Sequence, residues 1–374
     1  MPLPAPRAGE SIGFHVYPGI SDEHTLGDPE TIIWSSIRQL CSRFAAEHVA
    51  ARIFGIAKKK DREAVARNIK LYIQQSVEFY EAARGSKPHT APLMYYYSFL
   101  NLAKAFCELR KPLLHERQEC YRYSLSWRPD PRVLVNMETE EVSVTSRGMW
   151  HVLWESLNGV HCPAANPTKF RIGDLFAYCP EVSAEFGRTF GRNNRLLESE
   201  KLDVLLDRPK NQAWTTFSVT RPDLKDQQVS APRMLMHLAS PRSGYVEIKS
   251  GKQGLRTFQF TNPVKLRRRE APLRALQGDI IALNVFTHCG REKLRYFLAN
   301  QTKIPFRLPQ PIVLYTILFW LSSLVRYDPH SVASLMDSSY WILIDGFMSQ
   351  SRLWLLEQFE WAFYQTETTL WLAR

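Results

Sequence analysis

The sequence predicts an α+β fold that is predominantly helical, with a small and mostly antiparallel β-sheet in the middle of the chain. Apolar residues recur every three or four positions in the first and last thirds of the 374 residues, which is typical of amphipathic helices. Between about residues 214 and 261 the apolar period changes to two, which is typical of strands. We therefore expect helical ends around a β-containing middle.

These patterns divide the chain into four expected regions. Residues 1–28 are rich in Pro and Gly without a sustained period, so they predict an extended lead-in. Residues 29–128 predict an N-terminal helical region, and residues 129–300 predict a β-containing middle region. Residues 301–374 predict a C-terminal helical region, which we expect to pack back on the N-terminal helices.

Three helices are predicted in the N-terminal region. The first runs from about Pro29 to Phe54, with Asp28 as the N-cap and a proline in the first turn, where proline is favoured. The second runs from about Asp61 to Ala83, and its apolar residues share one face. The third lies in PLMYYYSFLNLAKAFCELRKPLLH, Pro92 to His115, and is apolar on nearly every side.

The middle region combines strands with short helices. The segment VLVNMETEEVSVT, residues 133–145, predicts a hairpin with an acidic turn. Two helices are expected near residues 147–157 and 172–187. The segments WTTFSVT, GYVEIKS and RTFQFTN alternate polar and apolar residues between turn signals, so they predict three strands of an antiparallel sheet.

The last third returns to a helical pattern. Residues 311–326 are almost continuously apolar and predict a buried helix. Asp328 and Pro329 predict the cap and first turn of a short helix. An aromatic-rich helix is expected from Ser351 to Leu372.

The chain is strongly basic, with a formal net charge of +11 and a pI of about 9.4. Such a charge attracts phosphate polyanions without specifying a sequence, so a nucleic acid, RNA in preference to DNA, is the expected partner. Aromatic residues do not interleave with the two basic clusters, so a solvated surface is the alternative interpretation. The candidate nucleic-acid-binding residues are Lys58, Lys59, Lys60, Lys265, Arg267, Arg268 and Arg269.

Several classes of protein are not expected from the sequence. The six cysteines form no Cys-x-x-Cys pair, which favours a reducing, cytoplasmic location and indicates no metal site. The N-terminal residues lack the apolar segment of a signal peptide, and the longest apolar run, Pro311 to Val325, is short for a membrane span. We expect neither a membrane partner nor a cofactor.

One polar seam interrupts the apolar helix around YYYSFLNLAKAF. At about 100° per residue, Ser98, Asn101, Lys104 and Glu108 fall within one arc of that helix. The seam either faces solvent or contributes Asn101 and Lys104 to an anion-binding crevice. The buried helix near the C-terminus carries a similar polar arc, which adds Arg326, followed by His330, to the candidate crevice residues.

The order of these landmarks resembles the YaaC-like family. YYYSFLNLAKAF, His115, RGMWHVLWESL, IGDLFAYCPEV and LFWLSSLVRYDPHS follow one another as in that family over roughly residues 30 to 370. The resemblance implies a fold and little chemistry, since these motifs are packing patterns. The family has a glycine after the histidine where this chain has Glu116.

The tyrosine-rich helix also resembles, more distantly, a helix of the HEPN superfamily of nucleic-acid-associated domains. Many HEPN domains are ribonucleases that use an Arg and a His four to six residues apart. Of the three Arg–His pairs in this chain with four intervening residues, Arg110 and His115 rank first because they lie just after the matching helix, although Pro112 interrupts the helix between them. The resemblance implies metal-independent RNA cleavage, with His115 as general acid or base and Arg110 stabilising the phosphorane charge.

Two alternatives to this hypothesis stay open, and so does the question of whether the chain is an enzyme. Glu247 and Lys249 match the Glu-x-Lys half of a metal-dependent nuclease site, although an exposed cross-strand charge pair is the preferred explanation of these residues. A non-catalytic scaffold that docks a partner protein is the other alternative. The leading hypothesis is a nucleic-acid-associated protein of a prokaryotic defence or stress system.

Overall fold

A computed structural model shows an α+β protein that is mostly helical, with 54% helix and 17% strand, as the sequence predicts. The structure describes residues 3–11, 28–128, 134–228, 244–250, 253–266, 285–289, 294–301 and 306–364, together with residues 230, 276 and 304. The chain forms two compact units. The sheet unit comprises Met1–Val16 and Asn193–Gln310, and the helical unit comprises Tyr17–Arg192 and Pro311–Arg374.

The helices follow one another mainly in the first half and the last quarter of the chain. In the described residues they are α1 (Pro29–Arg38), α2 (Arg43–Arg52), α3 (Lys59–Arg84), α4 (Ala91–Arg110), α5 (Met149–Asn158), α6 (Ile172–Phe176), α7 (Ser183–Phe190), α8 (Arg221–Asp226), α9 (Gln310–Tyr327), α10 (Pro329–Met336) and α11 (Tyr340–Tyr364). Short 3₁₀ turns occur at Gln39–Cys41, Leu114–Glu116, Gln118–Tyr121 and Pro180–Val182.

The strands pair antiparallel throughout the described residues. They are β1 (Glu10–Ser11), β2 (Leu125–Ser126), β3 (Glu141–Val144), β4 (Thr168–Arg171), β5 (Leu196–Asp207), β6 (Gln212–Thr220), β7 (Tyr245–Ile248), β8 (Leu255–Phe260), β9 (Val264–Lys265), β10 (Val285–Cys289) and β11 (Leu294–Ala299). In the sheet unit, the strands of the large sheet have the order β10-β11-β5-β6-β8-β7. Strand β1 also pairs with β5, and β9 pairs with β6. The helical unit carries the small sheet β2-β3-β4.

The core of the helical unit is built around α4 and α9. The apolar run of α9 is buried from Ile312 to Leu324, and the Tyr315 hydroxyl lies 3.2 Å from that of Tyr96 on α4. Trp150 on α5 donates its indole N–H to Thr316 at 3.0 Å. Each fully buried large apolar side chain contributes about 1.5–3 kcal/mol, so burial on this scale holds the unit together.

The first predicted helix is wrong in its extent, because the chain breaks inside it. Ser42 has an extended backbone, with φ −74° and ψ 127°, and separates α1 from α2. Asp28 is the N-cap residue, but its carboxylate accepts from the Thr31 hydroxyl at 3.0 Å and not from a backbone N–H. The second predicted helix is confirmed as α3.

The predicted hairpin at residues 133–145 is also wrong. Residues 136–140 form a turn in which Thr139 and Glu140 donate their backbone N–H groups to the Asn136 carbonyl. The alternating segment after this turn becomes β3, which pairs with the distant strands β2 and β4. The acidic turn therefore connects to a strand, but the partner strands lie elsewhere in the chain.

Two predicted helices have different bounds in the structure. The segment 172–187 is split into α6 and α7 by the 3₁₀ turn at Pro180, since proline lacks the N–H that would continue a helix. The last helix begins eleven residues earlier than predicted, at Tyr340, and residues 365–374 lie outside the described part. The Asp328 cap is confirmed, because its carboxylate accepts the Ser331 N–H at 3.0 Å.

The three central strands are confirmed as β6, β7 and β8, but the long strand β5 was not predicted. The core of the sheet unit includes Trp214, Phe217 and Phe258. Gly9, next to β1, lies so close to the Trp214 ring that an added Cβ would be 2.8 Å from it. No helix in the described ranges is both long enough and apolar enough to cross a membrane.

Candidate nucleic-acid interface

The polar seam of α4 lies mostly against α3. Ser98 is fully buried, and its hydroxyl donates to the Ser76 carbonyl at 2.8 Å. The Ser76 hydroxyl donates in return to the Ser98 carbonyl at 2.7 Å. These reciprocal bonds satisfy two buried hydroxyls and bring the helix backbones close together.

The next polar position of the seam is also buried against α3. Glu108 accepts hydrogen bonds from the Asn68 amide at 3.0 Å and from the backbone N–H of Leu113 at 2.9 Å. With Ser98 and Asn101 buried as well, a seam that faces solvent is the wrong interpretation. The seam is in large part an interhelical contact.

Lys104 is the half-buried member of the seam. Its ammonium lies 5.8 Å from the centroid of the Tyr72 ring on α3, which is a cation–π distance. The Tyr72 hydroxyl lies 3.5 Å from the Cys120 sulfur, and burial together with this contact raises the pKa of Tyr72. The phenol therefore stays neutral beside the lysine.

Arg326, at the end of α9, lies among tyrosine rings. Its guanidinium carbon is 5.0 Å from the ring centroid of Tyr327 and 6.0 Å from those of Tyr96 and Tyr97. It donates to the Tyr97 hydroxyl at 3.4 Å, and its Nε donates to the Ser322 carbonyl at 3.3 Å. These contacts hold the cation in one orientation.

A further tyrosine borders this arginine. Burial and the neighbouring Tyr97 hydroxyl raise the pKa of Tyr123, and the Arg326 charge opposes the rise. The side chains of Tyr123 and Tyr327 are 37% and 64% exposed, so their rings remain accessible. We call Tyr97, Tyr123, Arg326 and Tyr327 the tyrosine–arginine surface.

The tyrosine–arginine surface shares a side of α4 with two seam residues. Tyr97, Asn101 and Lys104 are spaced i, i+4 and i+7, which places them on one helix face. Lys104 is thus about 10 Å along the axis from Tyr97, which Arg326 contacts. Among the described residues, no carboxylate pairs with Arg326 or Lys104, and no group hydrogen-bonds the Asn101 amide.

Comparison with protein families identifies the chain. The model of the YaaC-like protein family matches residues 37–360. The chain belongs to the YaaC-like family. Searches among curated proteins and among solved structures find no match.

The structure of this YaaC-like protein places Arg110 away from the seam. Its guanidinium carbon lies 5.0 Å from the ring centroid of Phe54 and 5.8 Å from that of Phe106. Helix α4 ends at Arg110, and Leu113 takes a left-handed conformation with φ 65°. The side chain of His115 lies outside the described residues, so the Arg110–His115 pair stays a prediction.

The remaining basic candidates are exposed wherever the structure describes them. Lys58, Lys59 and Lys60 stand at the start of α3, where the Lys59 ammonium is 3.9 Å from the Glu63 carboxylate. Lys265 is exposed on β9 of the sheet unit, and Arg267, Arg268 and Arg269 lie outside the described residues. His330 is exposed in the first turn of α10.

The Glu-x-Lys candidate is part of a cross-strand pair in this YaaC-like protein. Glu247 on β7 accepts both guanidinium donors of Arg256 on β8, with Nε at 2.8 Å. Lys249 lies beyond the end of β7 and is exposed. Across the described side chains, no group of three or more His, Cys, Asp or Glu is placed to hold a metal ion.

Sequence reasoning missed the tyrosines that surround Arg326. Tyr327 follows Arg326 directly, so its proximity was available from the sequence. Tyr97 and Tyr123 are more than 200 positions away, and no spacing rule connects them to Arg326. A usable signal was present on α3, where Asn68, Tyr72 and Ser76 form an i, i+4, i+8 stripe that matches the seam of α4.

Proposed function

We propose that this YaaC-like protein binds single-stranded nucleic acid, RNA in preference to DNA, on the tyrosine–arginine surface and the adjoining Lys104. The observation that carries the proposal is that two cations beside tyrosine rings pair with no carboxylate in the described part of the chain. Arg326 and Lys104 each lie over tyrosine rings, and neither pairs with a described Asp or Glu. Both positive charges are therefore available to an anion.

The chemistry of this surface suits a single strand. Nonspecific binding of single strands combines cations for the phosphates with aromatic rings on which bases stack, each stacked base contributing about 1–3 kcal/mol. The tyrosine–arginine surface offers exposed rings at Tyr123 and Tyr327 beside a fixed guanidinium. The net charge of +11 adds a long-range attraction for the strand. Unstacked bases are common in RNA, which supports RNA as the preferred ligand.

The experiment that tests this proposal measures binding of a fluorescein-labelled single-stranded RNA as a function of salt. We expect affinity to fall steeply with salt, and Arg326→Gln or Lys104→Gln to weaken binding several-fold at low salt. Each substitution is expected to lower the log–log salt slope by about 0.7, the value for one phosphate contact on a single strand.

A matched control is available in the same unit. Arg192 lies 5.5 Å and 5.3 Å from the ring centroids of Phe186 and Phe190, but it also pairs with Asp174 at 3.5 Å. Arg192→Gln removes the same charge from an arginine–aromatic contact and is expected to leave RNA binding unchanged. If Arg192→Gln and Arg326→Gln weaken RNA binding equally, the loss of affinity follows from the lower net charge alone. That result would contradict the proposed surface.

The other hypotheses make separable predictions. If the protein binds neither RNA nor DNA at moderate salt, the scaffold alternative is left. RNA cleavage lost in His115→Ala and retained in chelator would support the Arg110–His115 pair, whereas chelator-sensitive cleavage lost in Glu247→Ala would support the sheet site. The assignment to a prokaryotic defence or stress system rests on the sequence resemblance and stays a hypothesis.

A further inference from the structure

A second group of ionisable residues surrounds Glu155 on α5. The Glu155 carboxylate accepts two hydrogen bonds from Arg147, each 2.8 Å long, and a third from the Lys111 ammonium. Its Oε1 is also 2.8 Å from Nδ1 of His161 and accepts the Cys162 backbone N–H at 3.2 Å. We call Lys111, Arg147, His151, Glu155 and His161 the Glu155 cluster.

These contacts fix both the charge and the position of the carboxylate. Burial alone would raise the pKa of Glu155, but the hydrogen bonds from Arg147, Lys111 and Cys162 lower it to about 2. Glu155 is therefore ionised at any physiological pH. Its side chain is only 6% exposed, so it cannot turn away from these partners without leaving them unpaired.

The orientation of His161 follows from this arrangement. Because Nδ1 lies 2.8 Å from a permanent carboxylate, we expect the neutral imidazole to carry its proton on Nδ1 and the lone pair on Nε2. The His161 side chain is 79% exposed, so Nε2 is accessible to a substrate. A carboxylate that orients an accessible imidazole in this way is the arrangement of a general base and its positioning residue.

Lys111 and Arg147, the two cations beside Glu155 and His161, can also contact an anion. Lys111 uses one of its three N–H donors on Glu155, and its side chain is 26% exposed. The side chain of Arg147 is 40% exposed and also reaches Glu119 at 3.4 Å. Negative charge that develops on a substrate would meet both cations next to His161.

A buried histidine gives independent support for a site here. His151 lies one helical turn before Glu155, is 7% exposed, and its Nδ1 has no hydrogen-bond partner in the described residues. Burial and the charge of Arg147 lower the pKa of His151, so this histidine adds no positive charge to the cluster. An unsatisfied buried polar atom in a folded protein is uncommon and calls for an explanation, of which function is one.

The Glu155 cluster and the proposed binding surface both adjoin α4, through Lys111 and Tyr97 respectively. Lys111 directly follows Arg110, the last residue of α4, so it stands at the C-terminal end of the helix that carries Tyr97 and Lys104. The distance along the helix axis from Tyr97 to Arg110 is about 20 Å. Glu119 contacts Arg147 of the cluster, and Tyr123, four residues later in the chain, borders Arg326. A strand that binds the tyrosine–arginine surface and follows α4 toward Arg110 would approach the cluster.

We propose that the Glu155 cluster hydrolyses phosphodiesters, with His161 as the general base, Glu155 as its positioning residue, and Lys111 with Arg147 as stabilisers of the charged phosphorus centre. The substrate class, a nucleic-acid strand, rests on the proposed function. His161 Nε2 takes a proton from water as the water oxygen bonds to phosphorus. The P–O bond to the leaving alkoxide then breaks, and that oxygen takes the proton from His161, so water and a diester become a monoester and an alcohol.

The experiment uses the full chain and two substrates. The first is the single-stranded RNA of the binding assay, and the second is bis(p-nitrophenyl) phosphate, a small diester that needs no strand-binding surface. His161→Gln is expected to lower hydrolysis of both by at least about 100-fold, the lower end for general base catalysis, with RNA affinity unchanged. The control His89→Gln, at an exposed histidine elsewhere in the helical unit, is expected to keep the wild-type rate.

The pH profile separates catalysis from a structural effect. A general base acts only when it is unprotonated, so we expect the wild-type rate to rise with pH and this rise to be absent in His161→Gln. The ionisable groups of this site are Glu155, which lies 2.8 Å from His161, Lys111 and Arg147, which contact Glu155, and His151 on the same helix. Glu155→Gln is expected to lower the maximal rate, because the imidazole loses the carboxylate that orients it.

Each outcome bears on one proposal. A wild-type protein that binds RNA but hydrolyses neither substrate would overturn the hydrolytic site and leave the proposed function standing. Hydrolysis of the small diester without RNA binding would support the site and contradict the nucleic-acid surface. A wild-type rate, or an unaltered pH profile, in His161→Gln would overturn the assignment of the general base.

Discussion

The Nε atom of Arg352 lies 2.7 Å from a carboxylate oxygen of Glu30, and this ion pair joins the last helix of the helical unit to the first. Arg352 also donates to the hydroxyl of Tyr95 on α4 at 3.2 Å. Glu30 is 6% exposed, and its second cation, Arg84, is more distant at 3.8 Å. The pair thus connects α1, α4 and α11 at a site where the carboxylate has little access to water.

Arg352→Met is expected to destabilise the helical unit by about 2 kcal/mol, because Glu30 stays buried with only the more distant Arg84 as a partner. Methionine keeps much of the apolar stem of arginine, so lost packing contributes little. The midpoint of urea unfolding measures the loss. Arg38→Met is the control, since its 2.7 Å pair with Glu81 is exposed on both sides and should contribute less than about 1 kcal/mol. If both variants lose the same stability, burial of Glu30 does not increase the contribution of its ion pair.

The reciprocal bonds between Ser76 and Ser98 predict that this contact between α3 and α4 tolerates no larger side chain. Ser98→Leu is expected to destabilise the protein by about 1–3 kcal/mol or more, because it adds volume to a fully buried position and leaves the Ser76 hydroxyl without one partner. Thermal unfolding followed by circular dichroism measures this effect. Gln74→Leu, on the exposed face of α3, is the control. Unchanged stability of Ser98→Leu would show that the helices are not closely packed there.

The sequence predicted elements whose signals are local. The amphipathic spacing of α3, the period of two in β6 and the Asp328 cap each depend on neighbouring residues, and each is confirmed. The break at Ser42 and the pairing of β3 with β2 and β4 depend on contacts with other parts of the chain. Local pattern could not supply these contacts, since tertiary packing overrides propensity.

The candidate site also combines features that local sequence predicts with features that depend on distant parts of the chain. Helical geometry placed Ser98, Asn101, Lys104 and Glu108 on one arc, but it could not show that α3 covers most of that arc. Arg326 was selected from the sequence, whereas its contact with Tyr97 spans 229 positions. The Glu155 cluster gathers residues from 111 to 161 through loops between helices, so no single period displays it.

The exposed ring of Tyr327 predicts a stacking contribution to RNA binding. Tyr327→Ala is expected to weaken binding of single-stranded RNA about fivefold to a hundredfold, because it removes one base-stacking surface worth about 1–3 kcal/mol. Tyr327→Phe keeps the ring and is expected to retain most of the affinity. Fluorescence anisotropy at constant salt measures both variants. If alanine and phenylalanine weaken binding equally, the hydroxyl and not the ring makes the contact.

Glu181 predicts a pH dependence of stability with a defined sign. Its carboxylate is buried beside α11, where it accepts the Ser351 hydroxyl at 2.8 Å, and burial raises its pKa to about 7 from an ordinary value of 4.5. Between these two values the folded state binds more protons than the unfolded state. Stability therefore falls as the pH rises from 4.5 to 7, and the whole loss is present above pH 7.

Glu181→Gln removes this titration while it keeps an oxygen that can accept from Ser351. Relative to the wild type, the variant is expected to gain up to about 3 kcal/mol between pH 4.5 and 8, because only the wild type must ionise a buried carboxyl. Urea unfolding of both proteins at the two pH values gives the difference, and the other titrating groups cancel because both proteins contain them. A difference that is the same at both pH values would show that Glu181 ionises as readily in the folded protein as in the unfolded chain, so that water reaches its carboxylate.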